Sequence, residues 1–207
     1  MSFLIVWFII IFGDIMQEFK SIVLKSSSPR RKELLEKMGY KFDIKVYDID
    51  ESMDLSKTPY ENVKRIGLNK ALVNSELDYG SILIGCDTIV VLKDKIYGKP
   101  KDRLDAYNML KSLSGRAHEV MSGVGVIYKD KIYNFVEVSK VYFKDLSDED
   151  IYAYIDSEEC FGKAGAYAIQ GIGFKLVDHY EGSLNNIIGL PTERLSVILG
   201  ELNEVED

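Results

Sequence analysis

Histidine is nearly missing from this chain: His118 and His179 are the only two among 207 residues. No multi-histidine metal centre can be built from them, so any bound metal would be held mainly by oxygen ligands. Cysteine is as scarce. Cys86 and Cys160 lie far apart, fit no zinc-ligand spacing and form no disulfide framework, so both read as reduced thiols of a cytoplasmic protein. Prolines number four, glycines are dispersed, and no repeat, linker or low-complexity tract interrupts the chain. That leaves no sharp domain boundary and suits one medium domain. Positive charge is short as well. A net charge of −7 argues against a nucleic-acid polymer or an anionic membrane as partner. A small anion is not excluded, because it needs only a local basic cluster.

Three common signatures are absent: the Gly-x-x-x-x-Gly-Lys-Ser/Thr phosphate loop, a Gly-x-Gly-x-x-Gly after a strand, and the Gly-x-Ser-x-Gly elbow. Their absence argues against the commonest kinase-like, dinucleotide-binding and hydrolase architectures. A membrane-length run is also lacking. Phe3 to Phe12 is apolar throughout, but a span takes about 20 residues, and no basic n-region precedes it as in a signal peptide. Residues 1–15 read as an apolar extension open to three accounts: a start at Met16 or a non-functional extension, a membrane-associating segment, or a packed extra element. Residues 16–207 read as the single domain, with no membrane partner expected.

What is present is ordinary for a globular protein: 46% hydrophobic and 29% charged residues. The pattern predicts a short strand at Ser21–Leu24 and a helix with Ser28 as N-cap and Pro29 at N1, ending at Gly39. A strand at Phe42–Val46 follows. Thr58-Pro59-Tyr60-Glu61 is a capping box that opens a helix to about Asn74. Ser81–Leu92 is a central strand buried on both faces. Further on come a helix at Arg103–Leu113 and a hairpin of Glu119–Tyr128 with Lys131–Phe143. A helix capped by Ser147 runs to about Asp156. A strand at Phe174–Val177 and a terminal helix opened by Pro191 complete the chain. This alternation predicts an α/β fold on a mixed twisted sheet with flanking helices.

Two features carry chemistry. Arg30 and Arg31 fall at N2 and N3 of the first helix, where a cation costs roughly 0.3–1 kcal/mol. An anion there would satisfy both the arginines and the free N–H groups, with Ser26, Ser27 and Ser28 adding hydroxyls. The alternative is a solvated basic turn. The second feature is Asp87, the only charged residue between Ser81 and Leu92. A lone carboxylate in such a strand is costly to bury unless it is paired or holds a metal. It reads as a general base or metal ligand, or else as one half of a buried salt bridge to Lys70 or Lys99. Lys99 within Gly98-Lys99-Pro100 and Lys163 within Gly162-Lys163-Ala164-Gly165 could clamp phosphates or simply sit in turns. Gln170 could present its amide to a base edge, and Glu51 beside Asp50 could hold a metal; solvated roles are the alternatives.

Together these segments resemble the Maf family of nucleotide pyrophosphatases. The matching pieces are Ser26-Ser27-Ser28-Pro29-Arg30-Arg31, Asn69-Lys70-Ala71, Gly85-Cys86-Asp87-Thr88 and Gly98-Lys99-Pro100. Leu113-Ser114-Gly115 with His118, Lys163-Ala164-Gly165-Ala166-Tyr167, Gln170-Gly171 and Gly189-Leu190-Pro191 follow in the family's order. Each is weak alone; the ordered set is specific. The resemblance implies two lobes around a central cleft, as in the Maf and ITPase-like folds, and a homodimer. It implies a nucleoside triphosphate substrate, cleavage between the α and β phosphates, and a divalent cation, Mg²⁺ or Mn²⁺, with Glu51 and Asp87 as candidate ligands. The proton acceptor falls on Asp87, and substrate-sorting positions fall on Arg30, Thr88 and Gln170. Phosphate contacts fall on Ser26, Arg30, Arg31, Lys70, Lys99 and Lys163. The combination is similar to the subgroup acting on dTTP and UTP. Lys25, Cys86, Cys160 and Gly162 depart from the usual family residues. The rival function is a nucleotide-binding regulator of cell division with little turnover.

Overall fold

A computed structural model describes residues 20–204, so the apolar extension at 1–15 lies outside the described residues. Seven strands and six α-helices occur among the described residues: β1 Ile22–Leu24, α1 Pro29–Lys37, β2 Asp43–Ile44, α2 Pro59–Leu72, β3 Ile82–Leu92, β4 Lys95–Tyr97, α3 Arg103–Leu113, β5 Ala117–Tyr128, β6 Lys131–Phe143, α4 Asp148–Asp156, β7 Val177–Glu181, α5 Leu184–Ile188 and α6 Thr192–Glu204. The strands form one mixed sheet in the order β2-β1-β3-β5-β6-β7, with β4 also paired to β3. β1 runs parallel to β2 and β3; the β3–β4, β3–β5, β5–β6 and β6–β7 pairs are antiparallel. No helix among the described residues is long and apolar enough to cross a membrane.

Most boundaries follow from local chemistry. Thr58 and Ser147 each close the reciprocal capping box that their sequences specify. Two expectations need correction. The strand expected at Phe42–Val46 shrinks to Asp43–Ile44, both exposed at the sheet's edge. Phe174–Val177 is not a strand: Gly171–Leu176 winds as a 3₁₀ segment, and pairing to β6 starts only at Val177. The glycines at 171 and 173 suit a tight coil better than a ladder. β4 and α5 were not anticipated, being three and five residues long and too short for a periodic signal.

Two features of this fold make a site. First, the long strand β3 joins two cores. Ile82, Ile84 and Cys86 pack with α1 and α6, whereas Val90 and Leu92 pack with α3 and α4. Second, β3 is covered unevenly along its length. β5 pairs with it continuously from Leu83 to Val91, but on the opposite edge β1 covers only Ile82–Ile84 and β4 only Val90–Leu92. The middle of β3 therefore has an open edge between the two cores. Asp87 and Thr88 lie in that gap.

Candidate active site

Helix α2 lies unusually close to the sheet beneath it. A Cβ at Gly85 would stand 2.3 Å from the Ala71 amide nitrogen and 2.5 Å from the Gly67 carbonyl oxygen. Only glycine allows that approach. It sets Lys70, in the last turn of α2, directly against Asp87 on β3. Lys70 Nζ is 2.8 Å from Asp87 Oδ1 and 3.1 Å from Glu51 Oε1, so one ammonium holds two carboxylates. Of the two salt-bridge partners considered for Asp87, the structure selects Lys70. Asp87 is not sealed off, however: its side chain and that of Lys70 are each 14% exposed.

On the other face of β3, Thr88 meets the start of α1. Arg31 donates from Nε to Gly189 O at 2.9 Å, from Nη1 to Ser26 Oγ at 3.0 Å and from Nη2 to Thr88 Oγ1 at 3.1 Å. Arg31 thus braces the site through three of its five donors. Arg30 donates only its Nε, to Ile188 O at 3.1 Å, among the described hydrogen bonds. Burial first, and then the neighbouring Arg31 charge, pull the Arg30 guanidinium below its ordinary value. Burial, followed by the Arg30 charge, does the same to Lys163. Both shifts report cations held partly out of water beside another cation. Ser28 caps α1 without a side-chain hydrogen bond, and no acidic residue occupies the first turn. The Ser28 N–H donates to Ser26 Oγ at 3.3 Å, while the Arg30 and Arg31 N–H groups have no acceptor among the described hydrogen bonds.

The open edge leads into a cleft of about 520 Å³. All ten residues singled out from the sequence line it: Ser26, Arg30, Arg31, Glu51, Lys70, Asp87, Thr88, Lys99, Lys163 and Gln170. Lys25 joins them, but its Nζ donates to Val73 O at 2.5 Å, at the end of α2. The cleft lining carries six cations against the two carboxylates Glu51 and Asp87, a formal +4 in a chain of −7. Part of the lining is different. Val90, Tyr97, Tyr167 and Ile169, members of one apolar cluster, line the cleft together with Ala168 and Gln170. Tyr167 is fixed from behind by His118, whose Nε2 lies 2.8 Å from the Tyr167 hydroxyl. Burial pushes His118 down to about 4, so it is neutral near pH 7.

The sequence did not point to Ser122, whose hydroxyl lies 2.9 Å from Thr88 Oγ1 and which is fully buried. The available signal was a single hydroxyl in the otherwise apolar run Val120–Val126. Gly189 entered only within the Gly189-Leu190-Pro191 segment of the resemblance, with no role assigned; its carbonyl accepts from Arg31.

The arrangement presents a cleft rich in cations, a carboxylate–ammonium pair within it, and an apolar stretch of lining with one amide. Comparisons with known proteins identify the family. Residues 21–202 match the family model described as Maf-like protein. A dTTP/UTP pyrophosphatase of Ruminiclostridium cellulolyticum is 46% identical over 89% of this chain and 97% of its own. Proteins of the same description from Bacillus cereus and a Thermoanaerobacter species are 42% and 45% identical. They cover 90% and 86% of this chain and 92% and 94% of theirs.

Proposed function

The chain belongs to the Maf family, and on that premise we propose that it hydrolyses dTTP and UTP, with modified pyrimidine nucleotides as further candidates. The products are the nucleoside monophosphate and diphosphate (pyrophosphate). The observation that carries the reading is the pairing of Asp87 with Lys70 in a cleft lined by further unpaired cations. A purely structural salt bridge would not need Arg30 and Lys163 held beside it at an electrostatic cost.

A triphosphate supplies the missing negative charge. Ser26, Arg30, Lys70, Lys99 and Lys163 surround it and stabilise charge that develops on the phosphate oxygens as the α–β anhydride opens. Arg31 acts chiefly by positioning Ser26 and Thr88. Water is added across the α–β bond, its proton passing to Asp87. The leaving pyrophosphate departs with the bonding electron pair. Asp87 Oδ1 is engaged by Lys70, and no hydrogen bond to Oδ2 occurs among the described residues. One carboxylate oxygen is thus oriented by Lys70 while the other can take the proton. Gln170 and Thr88 select the base against the Tyr167 wall.

Glu51 and Asp87 fit a divalent ion that arrives with the substrate. They already converge on one positive centre, the Lys70 ammonium. Mg²⁺ typically takes one or two carboxylates plus waters and phosphate oxygens, not a full protein cage. This agrees with the lack, among the described residues, of any group of three or more acidic, histidine or cysteine ligands. Bound there, Mg²⁺ or Mn²⁺ would neutralise phosphate charge. The same reading takes the protein to be a cytoplasmic homodimer.

The test is Asp87→Asn. Pyrophosphate release from dTTP and UTP should fall by about 10²–10⁴-fold, the usual range for loss of a general base, while the thermal unfolding midpoint shows that the fold persists. A folded variant with turnover near that of wild type would remove Asp87 from its role. Wild-type protein that binds nucleotide but releases no pyrophosphate at substoichiometric concentration would favour the regulatory alternative.

A further inference from the structure

Gln170 sits at a turn whose free donors are already taken. It immediately precedes the 3₁₀ segment Gly171–Leu176, its backbone is extended, and its own side chain makes no capping hydrogen bond. The first N–H groups of a helical segment lack partners within it, and a side chain at the preceding position commonly accepts from them. Here Glu159, just beyond the end of α4, accepts instead. Ile172 N donates to Glu159 Oε2 at 3.1 Å and to Oε1 at 3.4 Å, and Gly173 N donates to Oε2 at 3.4 Å. The direction of these bonds is fixed, because a backbone N–H only donates and a carboxylate accepts.

Two glycines allow this approach. Gly171 has φ +64°, and a Cβ there would stand 2.7 Å from Glu159 Oε1. A Cβ at Gly173 would stand 2.1 Å from Ala168 O and 2.9 Å from Tyr154 Oη. Tyr154, buried on α4, in turn accepts from Ala168 N at 3.1 Å. Residues 168–173 are therefore tied down on both sides of Gln170, by Tyr154 before it and by Glu159 after it. Between the two ties, Gln170 lines the cleft. We propose that Glu159 is a positioning residue for nucleobase recognition: by accepting from Ile172 and Gly173 it fixes the turn and leaves the Gln170 amide to the ligand. Without Glu159 those N–H groups turn to water or to the Gln170 amide oxygen, and the amide is lost to the base. A carboxylate on backbone N–H groups makes a charge-assisted bond, stronger than a neutral amide oxygen makes. Glu159 is also a negative charge acting on Lys163, so its loss removes nothing that attracts a triphosphate. The proposal rests on the reading above in which Gln170 meets the base.

The experiment measures kcat and KM for UTP together with inhibition by inorganic tripolyphosphate, which has the phosphates but no base. The proteins are wild type, Glu159→Ala, Glu159→Gln, Gln170→Ala and the Glu159→Ala/Gln170→Ala double variant. Loss of one hydrogen bond to the base corresponds to roughly twofold to tenfold. Glu159→Ala should raise KM for UTP by that factor with kcat retained, as loss of uniform binding does. It should leave the tripolyphosphate inhibition constant unchanged or lower. Glu159→Gln, which keeps an acceptor, should raise KM less, and adding Glu159→Ala to Gln170→Ala should raise it no further. Should Glu159→Ala unfold, Glu159→Gln alone carries the test, as a higher KM for UTP with the tripolyphosphate constant unmoved. Suppose Gln170→Ala raises KM, but the Glu159 variants leave it unchanged, weaken UTP and tripolyphosphate alike, or add their full effect to that of Gln170→Ala. The proposal then falls while the reading of Gln170 stands. If Gln170→Ala leaves KM for UTP unchanged, Gln170 does not meet the base, and both fall.

Discussion

Replacing Gly85 with alanine tests whether the seating of α2 governs the chemistry. The added methyl would stand 2.3 Å from Ala71 N, 2.5 Å from Gly67 O and 2.8 Å from the Lys70 carbonyl carbon, against 3.4 Å or more for ordinary contact. All three obstacles are backbone of one helix, so no side-chain rotation relieves them; α2 must rise by about 1 Å. Overpacking of this kind costs typically 1–3 kcal/mol, and a backbone obstacle belongs near 3 kcal/mol. For a chain of this size that is a fall of about 6–12 °C in the unfolding midpoint. The same rise carries Lys70 away from Asp87, now at 2.8 Å, and a displacement of about 1 Å at a reacting centre can cost on the order of 10²-fold in rate. The assay is a thermal melt paired with kcat for UTP. Gly200→Ala serves as the control, because a Cβ there meets nothing within 4 Å. If Gly85→Ala melts within about 2 °C of wild type and keeps its kcat, the close seating of α2 is irrelevant to the reaction and the reasoning fails.

Two more outcomes follow from the charges. His118, pushed down to about 4 by burial, takes up a proton in the unfolded chain before it does so in the folded one. Its neutral burial therefore contributes full stability above its unfolded value near 6.5, and the contribution is lost as pH falls from there to about 4. The loss should reach about 2–3 kcal/mol, and urea melts at pH 7 and pH 4.5 should show a shallower acid limb in His118→Gln than in wild type. Arg30→Met removes a half-buried cation held against Arg31 and Lys163. Its unfolding midpoint without ligand should equal or exceed that of wild type, while KM for UTP rises about tenfold or more; a lowered midpoint with unchanged KM would make Arg30 structural.

The sequence was legible where one residue type has one physical solution. Thr58 and Glu61 specify a capping box, and it forms. A charge alone in an eleven-residue apolar strand needs a partner, and Asp87 has one in Lys70. What could not be read lies in relations between distant segments. Gly67, Gly85, Gly123 and Gly125 look unrelated in sequence, yet they let α2 and the sheet touch. The same holds for the open edge of β3, which exists because β1 and β4 cover its two ends and not its middle. Lengths of three and five residues hid β4 and α5. Gly171 and Gly173 turned Phe174–Val177 from a strand into a coil.

The gap in β3 also separates two kinds of change. Asp87 points toward α2 and Lys70, and Thr88 toward α1, Arg31 and Ser122. Neighbours in sequence, they belong to different packing environments because a strand sends successive side chains to opposite faces. On the proposed reading, substitutions that retune the choice of nucleotide accumulate around residue 88 without refitting the base that handles the water. The strand is a partition between two independently adjustable halves of an enzyme. A library confined to the Thr88 face is accordingly the place to search for altered substrate range at undiminished turnover.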